Sequence, residues 1–252
     1  MSDVGYALQV RGLSKRFGDF LAVKNVSLDI RAAGIHGIIG PNGAGKTTVF
    51  NILTKFLAPT TGTIWFHGQD ITRLTPVEIA RRGIVRSFQI SAVFPNLTVL
   101  QNLEVALQRQ AGLASQFWRS RKILAQLNDR AFDLLRSVGL GEFWNVKAKS
   151  LPYGRKRTLE IATTLALEPK LLLLDEPMAG MGHEDIASVS SLIRSLADRY
   201  AIIMIEHNLS VVSDICDRIS VLSRGEVIAE GPYSEVSRNS AVRDAYIGGA
   251  DG

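Results

Sequence analysis

The stretch Gly40-Pro41-Asn42-Gly43-Ala44-Gly45-Lys46-Thr47-Thr48 constrains this chain more than any other. It satisfies G-x-x-x-x-G-K-[ST], and its flanks are those the pattern needs. The apolar run Ile35-His36-Gly37-Ile38-Ile39 reads as a strand entering the loop, and Thr47 to Leu57 as a helix leaving it. Glycines at 40, 43 and 45 remove side chains, so successive backbone N–H groups can curl around a phosphate. The helix starting near Gly45 adds its unsatisfied N–H groups and the positive end of its dipole. Lys46 can then reach the β- and γ-phosphates, and the Thr47 hydroxyl can ligate Mg²⁺. A nucleoside triphosphate site lined by Gly40 to Thr48 is the expectation.

The loop needs a sheet, and the chain supplies the strands for one. Leu171 to Leu174 and Ala201 to Ile205 are continuous apolar runs, the mark of strands buried on both faces of a parallel sheet. Both are far too short to span a bilayer. Residues 6–10 and 25–30 alternate and flank a turn at Phe17-Gly18-Asp19-Phe20. Pro59 to Gly62 turns into a strand at Thr63 to Gly68, and 76–83 reads as a short helix with proline in its first turn. Between about 90 and 150 the period changes to that of helices. Leu97 to Leu107 is one, and Ile123, Leu124, Leu127, Ala131, Leu134, Leu135 and Val138 mark a second that Gly139 stops. Arg218 to Glu230 reads as a hairpin turning at Arg224-Gly225. The expected organisation is one domain over 1–252, an α/β core from 1–89 and 151–235, a helical insert over 90–150 and a tail over 236–252.

Composition adds bounds rather than function. At 252 residues, 46% hydrophobic and 21% charged, the chain suits a globular unit with an inserted lobe. The net charge of +5 is spread, with short clusters only at Arg81-Arg82, Arg119 to Lys122 and Arg155-Lys156-Arg157, so a solvated surface is expected rather than a nucleic-acid footprint. One cysteine, Cys216, excludes an internal disulfide, fits a reducing cytosol and reads as a small buried apolar residue. No charged-then-apolar leader opens the sequence, so secretion is not expected.

Leu171 to Leu174 runs into Asp175-Glu176-Pro177. A buried strand ending in two adjacent carboxylates presents them to different surroundings at its carboxyl edge. Asp175 is suited to hold Mg²⁺ through water, and Glu176 to polarise the water that attacks a γ-phosphate.

Four further segments follow one order over residues 17 to 207, and the whole chain resembles an ATP-binding cassette (ABC) ATPase. Leu151-Pro152-Tyr153-Gly154-Arg155, ahead of a helix from about Arg155 to Leu167, resembles the family's signature motif, whose common form is LSGGQ. In that family the motif contacts ATP held by the other subunit. Gln89, after Ser87-Phe88, resembles the Q-loop where the core passes into the helical lobe. His207, after Ile203-Met204-Ile205-Glu206, resembles the switch histidine. Phe17, ahead of Ala22-Val23, matches the aromatic that stacks on adenine, with Val23 beside it.

The resemblance implies a P-loop NTPase (RecA-like) core with an N-terminal antiparallel β subdomain and an inserted α-helical subdomain. It implies ATP and Mg²⁺ as cofactors, Thr47, Gln89 and Asp175 on the metal, and Glu176, His207, Gln89 and Lys46 in catalysis. The signature departs from the common form at Pro152, Tyr153 and Arg155, and Pro152 removes a hydroxyl that ordinarily reaches the γ-phosphate.

Those departures look like the ATPases of branched-chain amino acid importers. So do Arg86-Ser87-Phe88-Gln89, Phe94 to Val99, Ala179-Gly180-Met181 and the tail Arg243 to Gly248, although Met181-Gly182 replaces the commoner Leu-Asn. Implied partners are a second ATPase subunit (self or paralogue), two membrane permease subunits and an extracytoplasmic solute-binding protein, with no nucleic acid. The implied place is the cytoplasmic face of the inner membrane, peripheral and held through the permease alone. Urea, amide or other solute uptake, an exporter of the lipopolysaccharide-extraction type and a nucleic-acid-associated cassette ATPase stay open as alternatives. Phe117-Trp118 reads as core or as a docking patch for the membrane subunit.

Overall fold

The structure is a computed structural model and describes residues 5–87, 93–110 and 121–247. The chain divides into two compact units, Met1–Arg86 with Lys170–Pro177 and Ile193–Gly252, and Ser87–Pro169 with Met178–Leu192.

The first unit opens on a long hairpin, β1 (Tyr6–Phe17) and β2 (Phe20–Arg31). The hairpin is longer than the alternation at 6–10 and 25–30 predicts. Its pairing shifts register around Leu13 and Lys15, with Gly12 at φ 59° and Asn25 at φ 51°, and such bulges break the two-residue period. Next come β3 (Gly34–Ile39), α1 (Lys46–Leu53), β4 (Thr61–Phe66) and the two-residue β5 (Gln69–Asp70). The His67-Gly68 turn between β4 and β5 has both residues at positive φ, the conformation that matches strand twist. α2 (Pro76–Arg81) starts at Thr75 with a full capping box to Glu78, and β6 (Ile84–Ser87) follows.

The second unit carries α3 (Val99–Gln110), α4 (Arg121–Ser137) and α5 (Tyr153–Leu165), with 3-10 turns at Gly141–Phe143 and Ala148–Ser150 between α4 and α5. Leu100, Leu103, Leu107, Ala131, Leu135 and Leu159 are among its buried apolar positions. An antiparallel bridge, Thr98 to Lys147, lies in this helical segment.

The chain then enters β7 (Leu171–Asp175), and α6 (His183–Leu196) runs from the second unit into the first. β8 (Ala201–Ile205), α7 (Leu209–Ile215), β9 (Arg218–Ser223), β10 (Glu226–Gly231), α8 (Tyr233–Val236) and α9 (Ser240–Ile247) complete it.

Two sheets result. Four strands run in the order β2-β1-β4-β5 and six in the order β10-β9-β3-β8-β7-β6. Within the six, β3, β7, β8 and β9 are parallel, while β9 and β10 form the antiparallel hairpin. Every residue of β7 and β8 is buried, as their unbroken apolar runs require. The core joins both sheets through Leu13, Val26, Ile64, Phe50, Leu173 and Ile203. Because β3, β7 and β8 are parallel and in register, Ile38, Asp175 and Ile205 end on one edge, where an open α/β sheet places its ligands.

A buried polar chain crosses the other part of the sheet. Ser220 donates its hydroxyl to Glu230 at 3.2 Å, which leaves its oxygen to accept from His36 Nε2 at 2.8 Å. Burial first, then Arg218 and Arg31, pushes the His36 imidazole down to about 4. A folded pKa below the unfolded 6.5 means that the unfolded chain binds the extra proton as pH falls through 6.5 toward 4. Stability is lost over that window by ~3 kcal/mol. Urea titrations at stepped pH should show this decline in the wild type and a flatter profile in His36→Gln, whose amide can still donate to Ser220. Leu173→Ala, at a fully buried position, should cost ~2–5 kcal/mol at pH 7 by the same measurement.

Candidate functional site

Three strand ends build the site on the first unit. At the end of β3 the chain turns through Gly40 at φ 146°, and a side chain there would put its Cβ 2.0 Å from the Leu222 carbonyl oxygen. Only glycine permits that approach, and it sets the loop that ends at Gly45, the N-cap of α1. α1 has no side-chain cap, so the amides of its first turn remain for a ligand. Ala44 is buried, Pro41 and Thr48 half-buried, and Asn42, Gly43 and Thr47 exposed on the loop.

Lys46 is buried apart from 6% of its surface, and its Nζ donates to the carbonyl oxygens of Gly40 at 2.7 Å and Pro41 at 2.8 Å. Burial lowers its pKa, and the nearby Glu176 carboxylate pulls the other way. The ammonium is thus desolvated and held by the loop that it belongs to.

At the end of β7, Asp175 is 2% exposed and Glu176 turns into the left-handed region at φ 46°. This turn separates the neighbouring carboxylates, and a non-glycine residue persists there only when its surroundings hold it. The Glu176 amide donates to the Ile205 carbonyl at 3.0 Å, and Glu176 Oε1 lies 2.7 Å from His207 Nε2 just past the end of β8. Glu206, itself buried, accepts from the amides of His207 and Asn208 at 2.7 and 3.2 Å and shapes that turn.

Phe17 is 45% exposed at the tip of the β1–β2 hairpin, with Lys15 Nζ 5.2 Å from its ring centroid. Val23 lies elsewhere than a surface contact would need, since its side chain is fully buried in the core. Gln89 and the Phe117-Trp118 pair fall outside the described residues.

Asp175 has a partner that sequence reasoning missed. Arg86 Nη2 makes an ion pair with Asp175 Oδ2, Nη1 donates to Asn51 Oδ1 at 2.7 Å, and the guanidinium carbon stands 5.7 Å from the Phe50 ring centroid. The one signal in the sequence is an arginine that directly follows the apolar pair Ile84-Val85 in the short strand Ile84–Ser87. The donors that would meet Mg²⁺, the Thr47 hydroxyl and the Asp175 carboxylate, are hard oxygens. One carboxylate beside substrate phosphates is the set that Mg²⁺ takes in nucleotide sites.

Residues 23–179 match the ABC transporter family, and residues 226–252 match the branched-chain amino acid ATP-binding cassette transporter family. The chain belongs to the ABC transporter ATP-binding proteins. Within them it falls in the branched-chain amino acid group. It is 42% identical over 250 residues to the high-affinity branched-chain amino acid transport ATP-binding protein LivG of Salmonella typhimurium, covering 96% of this chain and 98% of LivG. BraF of Pseudomonas aeruginosa, of the same description, is 40% identical over 253 residues, with 96% and 98% covered. Among solved structures, the ADP conformation of MJ1267, an ATP-binding cassette of an ABC transporter, superposes with a TM-score of 0.84 at 30% identity, covering 96% of this chain and 99% of that one. The dimeric cassette MJ0796 bound to ADP and Pi gives 0.73 at 26% identity, covering 90% and 98%. This ABC ATPase therefore hydrolyses ATP in a reaction coupled to transport.

The segment Leu151 to Arg155, which resembles the family's signature motif, lies on the second unit, and its departures have local contacts. Pro152 is the N-cap of α5 and offers no side-chain bond to the helix. Tyr153, in place of the first signature glycine, is 55% exposed and donates its hydroxyl to the Ala179 carbonyl at 3.0 Å. Arg155 donates to the Gly139 carbonyl at 3.0 Å and stands 5.1 Å from the Phe143 ring centroid, tying the start of α5 to the end of α4. Leu151 and Gly154 are buried, and a Cβ on Gly154 would lie 2.2 Å from Asp185 Oδ1. Gly40→Ala should reduce ATP affinity at least tenfold by isothermal titration, because the added Cβ drives the loop off Leu222.

Proposed function

We propose that this ABC ATPase powers the uptake of branched-chain amino acids from the cytoplasmic face of the inner membrane. It would do so as a peripheral subunit held by two permease subunits that an extracytoplasmic solute-binding protein serves. What supports the substrate class is near-complete alignment with transporters described as high-affinity for branched-chain amino acids, together with the matching C-terminal segment. No helix among the described residues is long and apolar enough to cross a membrane, which fits attachment through partners.

The site reading assigns each side chain a step. The Gly40-to-Thr48 amides and Lys46 bind the β- and γ-phosphates, and Phe17 stacks on adenine. Thr47 and Asp175, with Gln89, would hold Mg²⁺, which supplies charge neutralisation on the phosphates when bound. Glu176 orients and polarises the attacking water, and His207, 2.7 Å from Glu176, holds that carboxylate in place and reaches toward the γ-phosphate side.

The α5 tip at Leu151 to Arg155 contacts the nucleotide of a second ATPase subunit, self or paralogue, so ATP joins two subunits and hydrolysis loosens them. The dimeric MJ0796 cassette supports a paired arrangement.

Glu176→Gln should bind ATP with near-wild-type affinity, lose ~10²-fold or more in turnover, and accumulate as an ATP-bound dimer by size-exclusion chromatography with light scattering. Near-normal phosphate release would remove Glu176 from the role. For the substrate, deleting the gene should abolish high-affinity uptake of labelled leucine or isoleucine while leaving urea uptake intact. The reverse pattern would reassign the transporter.

A further inference from the structure

The Arg86 side chain is 11% exposed and Asp175 3%, so their ion pair is shielded from water on both sides. Arg86 is not a loose surface partner. Asn51 takes one terminal nitrogen and the Phe50 ring lies beside the plane, and both belong to α1, the helix that follows the phosphate loop. The fork is therefore locked between α1 and the end of β7, while its Nε is buried with no hydrogen-bond partner. A side chain held this tightly with one donor unsatisfied is positioned by the pair it makes rather than by its own full satisfaction.

We propose that Arg86 is a positioning residue that acts as the resident counter-cation of Asp175, holding the carboxylate by Oδ2 and weakening its grip on the divalent metal. The proposal rests on the reading of Asp175 as a metal-side carboxylate. Two consequences follow from charge alone. A fixed positive charge on Oδ2 already engages part of the negative charge that Asp175 would offer a metal. Metal that arrives with nucleotide must also share the carboxylate with a guanidinium that cannot deprotonate. Metal binding at Asp175 is thereby made dependent on the phosphates, and release of the metal with the product is eased.

The test compares ADP affinity with Mg²⁺ and with EDTA, by isothermal titration, in the wild type, Arg86→Gln and Arg86→Lys. The ratio of the two affinities is the metal coupling, and it requires no turnover. Wild-type protein should show a clear coupling; a ratio of one there would sink the metal reading of Asp175 itself and leave this inference without its basis.

Given coupling in the wild type, Arg86→Gln should raise the ratio roughly tenfold, with the EDTA affinity little changed. Arg86→Lys keeps the charge without the fork and should stay within about threefold of the wild type. A ratio that is unchanged or lower in Arg86→Gln, in protein that melts cooperatively, overturns the proposal and leaves Arg86 a structural tie. Should Arg86→Gln fail to fold, the double variant Arg86→Gln/Asp175→Asn removes both buried charges and should fold again. Failure of that double variant to recover cooperative melting likewise overturns the pairing as the role of Arg86.

Discussion

The ammonium of Lys46, bonded to two carbonyl oxygens of the loop that carries it, is the interaction on which the site depends. A cation so far removed from water is costly unless its donors are filled, and here two loop carbonyls accept from it. The backbone can do so because Gly40 turns against the Leu222 carbonyl at a distance that no Cβ allows. It also needs β3 fixed at the centre of the six-stranded sheet, between β8 and β9. The phosphate loop is thus braced by the deepest part of the fold. Glu176 adds a negative charge near Lys46 from the end of β7, which favours the charged form of the ammonium against its burial.

Parallel strands make this economical. β3, β7 and β8 deliver the phosphate loop, the carboxylate pair and His207 to one edge, because parallel neighbours in register finish together. The positive φ at Glu176 then does what strand alternation does not. It turns the second carboxylate away from Asp175, so that one acid faces Arg86 and α1 while the other faces His207. Two like charges on adjacent residues thereby gain separate partners.

The parts legible in the sequence were those written in local pattern. The phosphate loop announces itself by glycine spacing, β7 and β8 by unbroken apolar runs, and the β9–β10 turn by Arg224-Gly225, both at positive φ. Features made by distant residues were not legible. The β1–β2 hairpin outruns its alternation because bulges at Gly12 and Asn25 reset the period. Arg86 meets a carboxylate eighty-nine positions away, and nothing at either position names the other. Tyr153 reads as a substitution in a motif until its hydroxyl is seen on the Ala179 carbonyl. Val23 sits next to exposed Phe17 in the motif, yet the pleat of β2 turns it into the core.

We propose that the desolvated Lys46 ammonium is the principal anchor for the triphosphate. Equilibrium binding of ATP to Lys46→Met, measured by titration calorimetry on protein whose melting temperature is at or above that of the wild type, tests it most directly. Binding should be at least ~100-fold weaker, since an apolar side chain of similar length leaves the loop carbonyls facing phosphate without a cation between them. Affinity within about threefold of the wild type would contradict it.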